Sequence, residues 1–109
     1  MSNLASEITI MDAEAIRDTN DHNSSSEEIR GFVPKTMGII TTLDEDLNIQ
    51  LQGCMDGSFT TPFDIGNPQT FSGNDYIVLT DYFPFIRAVA SCDPAPTTGA
   101  LTIILAKVE

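Results

Sequence analysis

Positive charge is scarce in this chain. Five Lys and Arg residues stand against sixteen Asp and Glu, a formal net charge of −11 over 109 residues. Nucleic-acid backbones are held by stripes of Lys and Arg that displace counterions from phosphates, so that class of function is excluded. Long apolar runs are missing too. The longest, Tyr76 to Leu79 and Ile103 to Ala106, are four residues each, against the roughly 20 that a membrane-crossing helix needs. The opening Met-Ser-Asn-Leu-Ala-Ser-Glu has neither the cationic start nor the apolar stretch of a secretory signal. Passage to the outside would then be by lysis or within a particle.

Two cysteines and one histidine cannot supply the four ligands of a zinc site. Cys54 and Cys92 are also too far apart in the chain for C-x-x-C redox chemistry. Each ends a predicted strand, so a disulfide is open to them if those ends are neighbours; the alternative is two partly buried thiols. His22, between Asp21 and Asn23, reads as an exposed loop residue with no nucleophile to serve. Asp44-Glu45-Asp46-Leu47-Asn48 offers oxygens at alternate positions, but Ile49 stands where a calcium loop needs Gly and Met55 where it needs Glu. An acidic hairpin turn is the reading. The seven glycines never form a phosphate cradle ahead of a helix. The expectation is a chain that is not an enzyme, with no cofactor, no metal, and no nucleic-acid or membrane partner.

What is present is alternation. From Gly31 onward the apolar period is mostly two, broken every 8 to 14 residues or so, the pattern of an antiparallel all-β domain. Strands are predicted at Glu7–Met11, Met37–Leu43, Leu47–Gln52, Phe59–Ile65, Tyr76–Thr80, Phe85–Ser91 and Leu101–Val108, with Thr70-Phe71 as a brief further pairing. The segment Asp12 to Arg17 is open between a helical turn and a continuation of the first strand. Pro62 places the fourth strand at an edge, and Gly66-Asn67-Pro68 ends it. In the cleanest alternation, Leu47, Ile49 and Leu51 face a core while Asn48, Gln50 and Gln52 face solvent or a neighbour.

Seven or eight short strands without intervening helices make a two-sheet antiparallel β-sandwich, jelly-roll or Ig-like. Its expected core is Ile8, Ile10, Ile39, Leu47, Ile49, Leu51, Leu79, Ile86, Leu101, Ile103 and Leu105. Residues 1–30 read as an N-terminal strand and a polar acidic arm, and 31–109 as the sandwich domain. Thr19 to Ser26, rich in Asp, Asn and Ser, reads as an exposed loop that orders only against a neighbour. Removing residues 1–30 is then expected to abolish assembly and leave the sandwich folded.

The acid surplus suits concentrated salt, where a Debye length of about 3 Å at 1 M suppresses self-repulsion, and it points to a halophilic source. One aromatic cluster, Tyr82-Phe83-Pro84-Phe85, falls where two strands turn. It either caps the open end of the core or faces a partner, and with Phe59 it supplies the interface candidates Tyr82, Phe83, Phe85 and Phe59. Phe59, Tyr76, Tyr82 and Phe83 are the residues that would line a shallow platform for a carbohydrate or host surface. The absence of Trp counts against such a platform.

The stretches Ile49 to Phe59, Phe63-Asp64-Ile65-Gly66, Pro84 to Ala90 and Thr98 to Ile103 follow a pattern of turns and strands. It resembles that of small β-sandwich structural proteins of tailed viruses. In that pattern a strand ends in Gly-Ser-x-Asp-Gly before an aromatic and a D-hydrophobic-G, a later strand carries hydrophobic-R-A, and a Gly-led strand closes the chain. Cys54 stands where the pattern has Ser. The resemblance spans residues 49–103 with gaps and marks turns rather than chemistry. It implies a virion protein of a tailed virus with a halophilic host: a capsid decoration, turret or tail component. Its implied partners are identical copies, as a trimer or pentamer, and the major capsid or tail proteins. The carbohydrate- or host-surface-binding module is the alternative.

Overall fold

A computed structural model describes residues 5–29, 33–79 and 83–108. They form nine strands: β1 Ala5–Glu14, β2 His22–Asn23, β3 Glu27–Glu28, β4 Val33–Thr41, β5 Leu47–Cys54, β6 Phe63–Phe71, β7 Asp75–Val78, β8 Phe85–Ser91 and β9 Leu101–Val108. All pairings are antiparallel, in two sheets: β1-β9-β4-β7, and β2-β8-β5-β6 with β3 also on β8. The β-sandwich expected from the period-two pattern is the observed fold.

The connectivity is specific. β1 pairs with β9, β2 and β3 with β8, β4 with β7, and β5 with β6. The first half of the chain thus lies antiparallel against the second like one long hairpin, and successive pairs alternate between the two sheets. With β2 and β3 counted as one interrupted strand, this is the eight-strand double Greek key of a jelly roll, not the Ig arrangement. Alternate residues from both sheets fill the interior: Met37 and Ile39 of β4, Leu47, Ile49 and Leu51 of β5, Ile86, Ala88 and Ala90 of β8, and Leu101, Ile103 and Leu105 of β9. Ten of the eleven expected core residues are buried; Ile8, at 36% exposure, is not.

The polar stretch departs most from expectation. Ile16 and Ile29 are almost fully buried, and β2 and β3 pair with β8, so Thr19 to Ser26 is an edge of the sandwich and needs no neighbour to order it. Ser24 explains how a polar run can enter a sheet. Its amide donates to the Ala88 carbonyl at 2.8 Å, and its hydroxyl accepts from the Ala88 amide at 2.8 Å, replacing a backbone rung between β2 and β3. The Ser25 amide then donates to the Ile10 carbonyl and ties this edge to β1 across the sheets. Residues 5–29 are therefore packed structure, where an arm was expected.

β6 also differs. It begins after Pro62 and runs through Gly66-Asn67-Pro68, which was expected to end a strand. An edge position tolerates Pro68, and Gly66 takes the left-handed conformation (φ 68°) where the register on β5 shifts between Ile49 and Leu51. The expected domain start at Gly31 and the strand end at Thr80 lie outside the described residues.

Candidate functional site

Phe59, Phe63, Phe83 and Phe85 gather at one end of the second sheet, where β5 finishes and β6 and β8 begin, but they divide between its two faces. On the inner face Gly53 lacks a side chain, and the Phe83 ring occupies the space: a Cβ on Gly53 would lie 2.2 Å from a ring carbon. Phe63, opposite Gly53 on β6, stacks on Phe83 with ring centroids 5.9 Å apart. Phe83 is half-buried and packs on the core, so this ring closes the end of the sandwich. Phe63 keeps 48% exposure, and the neighbouring Met55 keeps 66%.

On the outer face Phe85, opposite Cys54, packs beside Gly57, and Phe59 is buried beneath Arg87, whose guanidinium sits 4.5 Å from the ring centroid. Arg87 donates two hydrogen bonds to Gln52 Oε1, at 3.0 and 2.8 Å, and Gln52 Nε2 donates to Asp64 at 3.0 Å. The covering loop is held by Asp56, which accepts from the Ser58 amide and hydroxyl; those bonds keep its carboxyl below the usual range. Of the expected interface residues, Phe83 and Phe85 are half-buried and Phe59 is buried, while Tyr82 lies outside the described residues. The suggested platform does not form as one surface. Tyr76 belongs to the other sheet, and the Phe59 ring is under Arg87.

A different surface emerges on the outer face of the first sheet. The registers align Val78, Thr36, Ala106 and Glu7 in one row, Tyr76, Gly38, Ile104 and Thr9 in the next, and Ile40 with Thr102 in a third. Val78 (61%), Tyr76 (60%) and Ile40 (45%) are the exposed large side chains among them. Among the described side chains of β7, β4 and β9 this face carries no charge, in a chain of net charge −11, and Glu7 of β1 borders it beside Ala106. A signal for it exists in the sequence: the doublets Ile39-Ile40 and Ile103-Ile104 break the alternation, as they do when both faces of a strand are apolar.

The remaining candidates have structural employment. Asp44 accepts hydrogen bonds from the Thr97 hydroxyl and from the Thr97 and Thr98 amides, and these lower its pKa to about 2. His22 is partly buried, where an exposed loop residue was expected, and binds Asp18 at 2.8 Å and Glu14 at 3.1 Å. Cys54 and Cys92 are both buried free thiols. The pairing of Cys54 with Phe85 and of Asn48 with Ser91 puts them at opposite ends of the β5–β8 ladder. Cys92 lies seven residues along the chain from Phe85, the partner of Cys54, about 23 Å of strand and far beyond the roughly 7 Å limit between the Cα atoms of a disulfide. No protein-family model matches the chain, and neither does any curated protein.

Proposed function

We propose that the chain is a structural virion protein of a tailed virus, a capsid decoration, turret or tail component that acts by assembling with identical copies. The observation that carries this reading is the apolar patch that β7, β4 and β9 present on the outer face of the first sheet, with Glu7 of β1 at its border. A copy carrying −11 repels another over most of its surface, and close approach is least opposed where Tyr76, Val78, Ile40 and Ile104 are presented. The face measures roughly 300 Å² by strand spacing, well under the about 800 Å² per partner of a stable dimer. It therefore works as one of several contacts in a ring or shell, which suits a trimer or pentamer better than an isolated pair. The jelly-roll connectivity supports the reading, since that architecture recurs in viral capsid proteins, as does the strand-and-turn resemblance over residues 49–103. The acid surplus fits a halophilic host.

Light scattering of the purified chain in molar KCl tests this. The expected result is an oligomer that Tyr76→Glu and Val78→Glu reduce to folded monomer. Mass spectrometry of purified particles should find the chain as a component. A wild-type monomer in both molar and dilute salt would refute the reading.

A further inference from the structure

The outer face of the second sheet carries an open trough of about 430 Å³, lined by Asn48, Gln50, Gln52, Asp64, Val89 and Ser91, with Asp21 and Pro68 at its sides. Its volume lies within the range of about 300–1,000 Å³ typical of small-molecule sites. The trough is distinct from the assembly face, which lies on the opposite sheet.

The polar groups along it are fixed in place. Asn48 Oδ1 accepts from the Thr70 hydroxyl at 2.7 Å, which turns its amide nitrogen outward as a donor. Gln50 Nε2 donates to the carbonyls of Leu51, Ile65 and Gly66, filling the irregularity between β5 and β6, and presents its oxygen as an acceptor. Gln52 is held between Arg87 and Asp64, and one Asp64 oxygen is used by it. Asn48, Gln50 and Gln52 are successive outward residues of one strand, spread over about 14 Å. The result is a rigid line that offers a donor, an acceptor, a carboxylate and the Ser91 hydroxyl, with the apolar Val89 and Pro68 beside it.

We propose that this trough binds a neutral oligosaccharide. Adjacent hydroxyls of a sugar each donate and accept, and fixed amides and carboxylates satisfy both roles at little cost in side-chain ordering. The C–H faces of the rings have Val89 and Pro68 to rest on. Asp21 and Asp64 oppose an anionic ligand, and a simple cation has no use for the Asn48 donor. The inference stands apart from the assembly reading, because a lone monomer would present the same trough.

Titration of the full-length chain with maltotetraose, cellotetraose and N-acetylchitotetraose, followed by the side-chain amide signals in NMR spectra, tests it. Galacturonic acid tetramer serves as the anionic comparison and spermidine as the cationic one. At least one neutral tetramer should shift the Asn48, Gln50 and Gln52 amide signals in a saturable way. Asn48→Ala should weaken that binding about fivefold or more, and Asp12→Asn, on the other sheet, should leave it unchanged. Ser91→Leu, which fills the trough, is a second variant should Asn48→Ala fail to fold. The proposal is overturned by no saturable shift with any neutral tetramer, by shifts confined to residues elsewhere, or by spermidine alone producing them.

Discussion

Gly99 lies so close to the Thr42 backbone that a Cβ on it would fall 2.0 Å from the Thr42 carbonyl oxygen. Its φ of 92° is also one that side-chain-bearing residues rarely adopt. Around this contact the β8–β9 connection docks on the start of the β4–β5 turn: the Thr42 amide donates to the Ala100 carbonyl at 2.9 Å, and the Ala100 amide to Thr42 Oγ1 at 2.9 Å. Gly66 has a positive φ as well, but open space around it. Gly66→Ala should therefore cost about 1–2 kcal/mol from backbone strain alone. Gly99→Ala should cost more, about 3 kcal/mol or above, because the opposing atom is backbone and cannot swing aside. Urea unfolding of the two variants at one salt concentration compares them. Equal losses would mean that the connection relaxes away from Thr42.

The same connection is held by a carboxylate, which gives it a pH signature. Asp44 has its pKa lowered from 3.8 to about 2, chiefly by the Thr97 hydroxyl and then by the Thr97 amide. A folded-state value below the unfolded one means that the stabilisation is complete above about pH 4 and disappears as pH falls through about 2. Asp44→Ala should accordingly melt below the wild type at neutral pH, and the gap should close between about pH 4 and pH 2. Circular dichroism melts across that window decide the matter. A gap of constant size would assign the loss to packing.

His22 behaves in the opposite sense. Its pKa is raised, mainly by the hydrogen bond to Asp18, which outweighs the opposing effect of burial, and further by Glu14. Its contribution is therefore complete below the unfolded value of 6.5 and is lost as pH rises through the higher folded value. Asp18 shows the other side of this pair, with its carboxyl lowered by the imidazole. Proton NMR titration of the ring should give a midpoint above 6.5, and Asp18→Asn should lower it more than Glu14→Gln. His22→Ala should lose more stability at about pH 6 than at about pH 9. The trio joins the end of β1 in one sheet to β2 in the other.

Legibility in the sequence followed the strength of the alternation. β8 and β9 have the residue limits expected for them, and Leu47, Ile49 and Leu51 face the core as their spacing requires. β2 and β3 contain two residues each, too short to show any period, and Ile16 and Ile29 stand isolated among polar neighbours, so no local pattern marked them as core. Ser24 was hidden for a related reason: its hydroxyl acts as a backbone substitute only once Ala88 lies opposite. The outward Asn48, Gln50 and Gln52 were readable from β5 alone. Asp64 and Ser91 join them only through the pairings of β5 with β6 and β8, which a single strand does not encode. The aromatic cluster was visible as a cluster, but its division between two faces follows from Gly53 admitting Phe83 inward while Phe85 points outward against Gly57.

Removal of residues 1–30, expected from the sequence to spare the sandwich, should instead prevent folding. It strips β1 from one sheet and β2 and β3 from the other, together with the buried side chains of Ile10, Met11, Ile16 and Ile29. At about 1.5–3 kcal/mol for each large apolar side chain, the loss approaches the roughly 5–15 kcal/mol that holds a whole domain. It also leaves β8 and β9 with newly bare edges. A single substitution makes the same point without truncation. Ile29 is 2% exposed, and its amide donates to the Pro84 carbonyl at 2.8 Å, so Ile29→Asp puts an unpaired carboxylate into the core. Its cost should match that of Ile49→Asp in the central strand β5, several kcal/mol in each case. Dispersed amide signals in the NMR spectrum of the truncated chain, or an Ile29→Asp melt like the wild type's, would show that the polar segment is dispensable after all. Melts of both substitutions beside the truncation distinguish a core that reaches into residues 5–29 from one that stops at β4.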